Sequence, residues 1–283
     1  MLKRREFLAL AAGLPALGAV RERRIGKVET VFKSPGPKPN GLQATRSGLW
    51  IMDQGDNRAY LVDYKDGKIL RAFDTEADRA SGITFDGEAL WLASTYSREI
   101  IRCDARTGKT ISKHFTPGAG VIYAMVGDPP GRSSPLAPRA NTQQGQSQGL
   151  RQGLGSGDGA ARAQQSPGQN LGTGAHGLEW KDGKLWVAVP PSRTIYRLDP
   201  KTWVVELKFS TAGNRPHGIG WEEKWLWCTD SNMNAFFKHD PVSGEIVEKI
   251  QLADSDPLPH GMTIWEGRMW YCDDVGVVCN LKL

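Results

Sequence analysis

This chain has little of what a membrane span, a thiolate metal centre or a nucleic-acid face requires. Its longest apolar stretch, Phe7 to Val20, falls short of the roughly 20 residues of a transmembrane helix. Its four cysteines, Cys103, Cys228, Cys272 and Cys279, include no Cys-x-x-Cys, which argues against a zinc site of thiolates. Positive charge is scarce outside one end. Residues 1–24 hold six basic residues against two acidic ones, which is four of the five net positive charges. The remaining chain is close to neutral, so no basic patch is left to face phosphates, and nucleic acid is excluded as a partner. Histidine is also sparse, at five residues, yet three of the five fall at one repeated position.

That position belongs to a pattern of which the chain holds five copies. Each reads x-Gly-Leu/Ile/Met, then an aromatic-rich run, then Leu/Met-Trp. The copies start at Asn40, Ser81, His176, His217 and His260, and the tryptophan follows ten residues later as Trp50, Trp91, Trp186, Trp227 and Trp270. Four copies add an aspartate thirteen residues past the tryptophan: Asp63, Asp104, Asp199 and Asp240. Starts lie 41, 95, 41 and 43 residues apart. A period of about 40 residues with several short strands in each is the signature of a β-propeller blade.

The copy at His176 shows why. Gly177 to Trp180 is a first strand, Lys181-Asp-Gly-Lys184 a hairpin turn, and Leu185 to Val189 a second strand. Thr194 to Leu198 and Val204 to Phe209 supply two more. The last copy reaches Leu283 where its turn aspartate would fall, so its blade has three strands and lacks the outer one. Residues 27–33 are a spare strand that can pair with it and close the ring. The expectation is an all-β propeller of five four-stranded blades over residues 25–283. Six blades is the alternative, if the apolar run Val121 to Val126 is a blade remnant. The 95-residue gap contains a Gln-, Gly- and Ser-rich insertion at about 131–172, read as a disordered loop between the second and third blades. The repeat tryptophans read as core between blades and the four repeat aspartates as turn residues. Cys272 and Cys279 are either a disulfide across the last hairpin or two buried small hydrophobes.

Residues 1–24 read as an export signal. Lys3-Arg4-Arg5-Glu6-Phe7-Leu8 resembles the twin-arginine motif, and a short apolar run follows it. Ala16-Leu17-Gly18 or Leu17-Gly18-Ala19 offers small residues for cleavage. The resemblance implies a bacterial protein delivered folded to the periplasm or beyond, with no membrane anchor after processing.

A constant offset brings equivalent residues to one rim of the ring. The second strand runs antiparallel to the first, so the residue three past each tryptophan returns to the same rim. This places Asn40 with Asp53, Ser81 with Ser94, His176 with Val189, His217 with Asp230, and His260 with Asp273, with Asp274 next. Imidazoles and carboxylates meeting at one opening suit a divalent metal, or a general base with an orienting acid. His114 and His239 fall outside the pattern and read as surface residues.

Arg215-Pro-His-Gly-Ile219, Leu226-Trp-Cys-Thr-Asp230, Pro259-His-Gly-Met262 and Met269-Trp-Tyr-Cys-Asp-Asp274 resemble the last two blades of the virginiamycin B lyase family. That family of seven-bladed propellers opens an ester-linked cyclic peptide by elimination with a magnesium ion. The resemblance implies His260 as the catalytic base, His217 as a second proton-handling group and Asp274 as a metal ligand. Asp273, Asp230 and His176 are the further metal-ligand candidates. Where the family has a glutamate two residues before its catalytic histidine, this chain has Leu258. The expected function is a metal-assisted lyase, or an ester or lactone hydrolase, acting as a monomer on a small molecule. The alternative is a propeller that binds a ligand or a protein without chemistry, and Leu258 favours it.

Overall fold

The computed structural model describes residues 20–120, 172–273 and 275–283. They form a β-propeller of five blades. Two strands come first, β1 (Arg21–Glu22) and β2 (Glu29–Lys33). Blade one is β3 (Pro39–Thr45), β4 (Gly48–Asp53), β5 (Arg58–Val62) and β6 (Ile69–Asp74). Blade two is β7 (Gly82–Phe85), β8 (Ala89–Ser94), β9 (Glu99–Asp104) and β10 (Thr110–Phe115). Blade three is β11 (Gly177–Lys181), β12 (Lys184–Val189), β13 (Thr194–Leu198) and β14 (Val205–Ser210). Blade four is β15 (Pro216–Glu222), β16 (Trp225–Asp230), β17 (Ala235–His239) and β18 (Ile246–Gln251). Blade five is β19 (Met262–Trp265), β20 (Arg268–Cys272) and β21 (Val277–Lys282), completed by β2 as its outer strand.

The ring closes as the missing strand implies. β2 pairs antiparallel with β21, from Glu29 against Asn280 to Lys33 against Val277. Blade four differs from the expected four strands, because β1 adds a short parallel strand outside β18. Residues 21–23 thus lie against the folded ring, although the sequence counts them with the signal segment. Arg23 explains the docking. Its guanidinium donates to Glu222 at 2.9 and 3.2 Å and to Glu248 at 2.6 Å, and it lies over the Trp227 ring. Residues 1–19 of the signal segment, residues 121–171 with the run Val121 to Val126, and Asp274 lie outside the described residues. The chain leaves blade two and returns to blade three through a bridge between Gly120 and Thr173.

Burial explains the repeat. Each repeat tryptophan is buried, and each packs into a different seam. Trp50 sits between blades one and two, Trp91 between two and three, and Trp186 between three and four. Trp227 fills the seam of blades four and five, where Val28 joins it, and Trp270 the seam of five and one, with Phe32. The blades are thus held by five separate apolar cores, as nearest-neighbour packing in a repeat array requires. The aspartates Asp63, Asp104, Asp199 and Asp240 each accept backbone N–H bonds from residues two or three positions on, so they organise turns as expected. All four cysteines are buried and free. Cys272 faces the blade five–one core and Cys279 the blade four–five core, on opposite faces of their sheet. His239 departs from the surface reading. It is buried, its Nδ1 donates to the Gly244 carbonyl at 3.1 Å, and its ring packs on Phe209.

Candidate functional site

The residue after each rim position is glycine, and packing explains it. A Cβ on Gly177 would collide with the His217 carbonyl, one on Gly218 with the Met262 amide, and one on Gly261 with the Asn40 carbonyl. Gly41 and Gly82 face the next blade in the same way. With five blades the inner strands converge so closely that only glycine fits between them. The glycines plug the axis, which has no space for a water molecule.

Asn40, Ser81, His176, His217 and His260 stand in a ring against this plug, all buried. The expected common rim is therefore present, but no pocket separates its histidines. The His176 and His217 rings meet edge to face with centroids 4.6 Å apart, and His217 and His260 meet at 4.7 Å.

Hydrogen bonding fixes the tautomers. His217 Nδ1 lies 2.9 Å from the Arg215 carbonyl, which can only accept, so this nitrogen carries the hydrogen. Neutral His217 then has a bare Nε2, which accepts from His176 Nδ1 at 3.1 Å. That leaves the lone pair on His176 Nε2, which has no hydrogen-bond partner among the described residues. His260 Nδ1 points to the Leu258 carbonyl at 3.4 Å, so it too donates to backbone. Burial holds His176 and His217 well below the ordinary imidazole value, and the Arg215 cation pushes both in the same direction.

The aspartates do something else. Asp53 accepts N–H bonds from Lys38, Gly55 and Asp56 at 2.6, 2.7 and 3.1 Å. Asp230 accepts from Arg215, Asn232 and Met233 at 3.0, 3.0 and 3.1 Å. Asp273 accepts from Val275, Gly276 and Val277 at 3.1, 3.0 and 2.9 Å. Each returns to the rim end as the antiparallel strand demands, but turns its carboxylate to the loop behind the ring. Asp230 still serves His217 indirectly, because it pins the Arg215 backbone whose carbonyl orients the imidazole. Burial pushes Asp53 up to about 6. Ser81 accepts from the Gln54 amide at 2.9 Å and has no acidic neighbour in the ring.

The family resemblance implies magnesium, an ion that prefers oxygen ligands in near-octahedral order. Three candidate carboxylates are committed to backbone N–H groups, and His217 has both nitrogens engaged. Among the described residues no three His, Cys, Asp or Glu side chains gather about one point. The described residues therefore do not fit that ion, and Asp274 lies outside them.

Arg215 and Ser231, whose hydroxyl lies 3.3 Å from His217 Nδ1, are site residues that the repeat pattern did not single out. Arg215 stood in the quoted Arg-Pro-His-Gly, and a search for charge next to the repeated histidine would have found it.

No helix among the described residues is long and apolar enough to cross a membrane. No protein-family model matches this chain, and no curated protein does. Among solved structures, glutaminyl cyclase of Myxococcus xanthus is 9% identical with a TM-score of 0.58, over 91% of this chain and 94% of that one. Virginiamycin B lyase of Staphylococcus aureus is 18% identical with a TM-score of 0.46, over 87% of this chain and 66% of that one. A streptogramin B lyase is 15% identical with a TM-score of 0.45, over 90% and 98% of the two chains. At 9% identity the likeness to the glutaminyl cyclase shows a shared fold and nothing of substrate.

Proposed function

We propose that this chain is an exported propeller enzyme that moves a proton on a small molecule at the rim of His176, His217 and His260, as a lyase or as an ester or lactone hydrolase. The observation that carries the reading is the Nε2 of His176, a buried ring nitrogen with no hydrogen-bond partner among the described residues, which a substrate reaches only when the rim opens. A neutral imidazole whose other nitrogen is pinned is a general base ready at neutral pH. Arg215 disfavours a second cation beside it and offers positive potential to a developing oxyanion. In elimination the base takes a proton from carbon, and the leaving carboxylate departs with the electrons of its bond to carbon. In hydrolysis the base takes the proton of an attacking water. His176 and His260 are the candidate bases. His217, saturated on both nitrogens, is a positioning residue. No step is routed through a metal.

The test is incubation of the purified protein with a panel of ester-closed cyclic peptides and lactones, read by mass. Elimination opens the ring without a change of mass; hydrolysis adds one water. His176→Ala should lower turnover by about 10²–10⁴-fold, well beyond the about 1–3 kcal/mol of stability lost with its bond to His217, turnover being read on protein shown to be folded. Turnover that ignores both His176→Ala and His260→Ala would overturn the assignment. The twin-arginine reading is checked separately: changing Arg4 and Arg5 to Lys should leave the protein in the cytoplasm.

A second reading has its own support. The axis admits no water and the imidazoles touch one another, as in a sealed structural ring. A propeller that binds a partner without chemistry would show binding unaltered by His176→Ala.

A further inference from the structure

Blade four differs from its neighbours in where one cation comes from. In blade two Arg102, paired with the repeat tryptophan Trp91 in the ladder, lies over its ring. In blade three Arg197 is paired with Trp186 and lies over it in the same way. The same strand position in blade four is Lys238, opposite Trp227. The guanidinium over Trp227 is instead Arg23, carried in by the residue after β1. What blades two and three hold on their own third strand, blade four takes from a separate segment.

The place Arg23 fills is held together by other groups. Trp227 Nε1–H donates to Glu222 at 3.0 Å. Lys238 Nζ lies 2.6 Å from Glu222 and 3.4 Å from Glu248. Trp227, Lys238 and Glu248 form one row across the sheet to its edge. Two carboxylates and an indole face therefore keep their positions whichever guanidinium sits among them. A guanidinium suits them because its planar fork bonds carboxylates while its flat face stacks on a ring, and an ammonium lacks both features. The segment that delivers Arg23 is slight. β1 pairs parallel over two residues, Arg21 against Glu248 and Glu22 against Lys249, and the Arg23 N–H adds a bond to the Lys249 carbonyl at 2.7 Å. The Arg21 side chain is 81% exposed. Apolar anchorage begins at Ile25 and Val28, which pack in the core of blades four and five.

We propose that this edge of blade four is a docking site for an extended, arginine-bearing segment of another protein, and that residues 21–23 occupy it in cis. The incoming strand pairs with β18 through its backbone and sets one guanidinium between Glu222 and Glu248 over Trp227, while the chain's own segment leaves. Strand addition of this kind draws affinity from main-chain bonds and specificity from a side-chain pocket. The cis segment states the chemistry: alternation along the strand puts Arg21 and Arg23 on the face of the two glutamates and turns Glu22 away. Glu222 ends β15 at the opposite end from His217, so the docking site is separate from the rim and does not rest on the reading given to it.

The experiment uses the full chain carrying Arg21→Ala and Arg23→Ala together, which removes the competitor and leaves the pocket. The probe is a blocked peptide Val-Arg-Glu-Arg, the sequence of residues 20–23, followed by calorimetry and by the NMR shift of the Trp227 indole N–H. The variant should bind it about fivefold or more tightly than wild type, whose own segment competes. Citrulline in place of the last peptide arginine keeps the shape, removes the charge and should weaken binding about tenfold. Adding Glu222→Gln to the variant should weaken it to a similar degree. No binding at millimolar peptide, equal binding by wild type and variant, or equal binding of the citrulline peptide would overturn the proposal. Should the double variant not fold, Arg23→Lys alone gives up the fork, and the same comparisons decide.

Discussion

The two ends of the axis hold the same kind of atoms and solve opposite problems. At one end the His176 and His217 imidazoles are held well below their ordinary value by burial beside the Arg215 cation. At the other, three residues along the same strand from His176, burial pushes the Glu179 carboxyl up to about 8 against the pull of Trp180, Gln43, Lys181 and Thr84. The rim chain is anchored on a backbone carbonyl and ends in an unused lone pair. Three residues past the rim the inner strands bond to one another instead, Thr84 Oγ1 donating to Gln43 Oε1 and Thr263 Oγ1 accepting the Ala44 N–H. A propeller axis can thus bury a base at one end and an acid at the other, and at both the exclusion of water favours the uncharged form. The glycine plug keeps them apart.

Removing the plug should have the largest effect. Gly218→Ala puts a methyl group into the Met262 backbone and should cost ~3 kcal/mol or more by urea denaturation. Gly26→Ala, with nothing near its added carbon, should stay within about 0.5 kcal/mol of wild type. Equal costs would mean that the axis is not the tight point of the ring.

Asp230→Ala strips an acceptor from three buried or half-buried N–H groups behind His217 and should cost about 2 kcal/mol. If the carboxylate serves the rim through the Arg215 backbone, turnover should fall as well. A loss of stability with full activity would confine it to the loop.

The ends should also respond oppositely to acid. His176 and His217 are depressed, so their contribution is present above 6.5 and lost as pH falls below it. Glu179 gains stability over the same descent. His217→Gln should therefore flatten the acid limb of the stability profile, by up to about 1.4 kcal/mol per pH unit. An unchanged acid limb would place the sensitivity elsewhere.

Arg23→Ala lies off the axis and should be the mildest. Its ion pairs are partly exposed, and Lys238 remains beside both glutamates at 2.6 and 3.4 Å. A cost of about 1 kcal/mol is expected, present above the ordinary glutamate value and lost in acid, because Arg23 helps hold Glu222 and Glu248 down against burial.

Much of the ring was legible because it is periodic. A tryptophan at a fixed strand position must fill the same seam in each blade, and a last blade short of one strand must find it elsewhere. The shared rim followed from the same offset. The fate of the aspartates did not, because strand register places a backbone and leaves the side chain free to turn to a nearer donor. Asp53 and Asp230 sit beside their rim partners in the ladder yet bind the loop behind it, where bulges shift Pro39 and Pro216 against them. Glu179 was missed although its column reads Gln43, Thr84, Glu179, Gly220 and Thr263, a polar run on buried inner strands. His239 was missed because nothing in its neighbours marks the Phe209 ring that covers it.

By itself, the sequence determined the blade, the blade count, the closing strand and the one rim that gathers three histidines, since each rests on spacing along the chain and spacing survives folding. Only the tertiary structure decided which imidazole keeps a lone pair, which carboxylates are spent on turns, and that residues 21–23 belong with blade four. Those outcomes depend on what each polar atom finds within hydrogen-bond reach once water is excluded, and in a closed ring the nearest partner comes from another blade some 40 residues or more away.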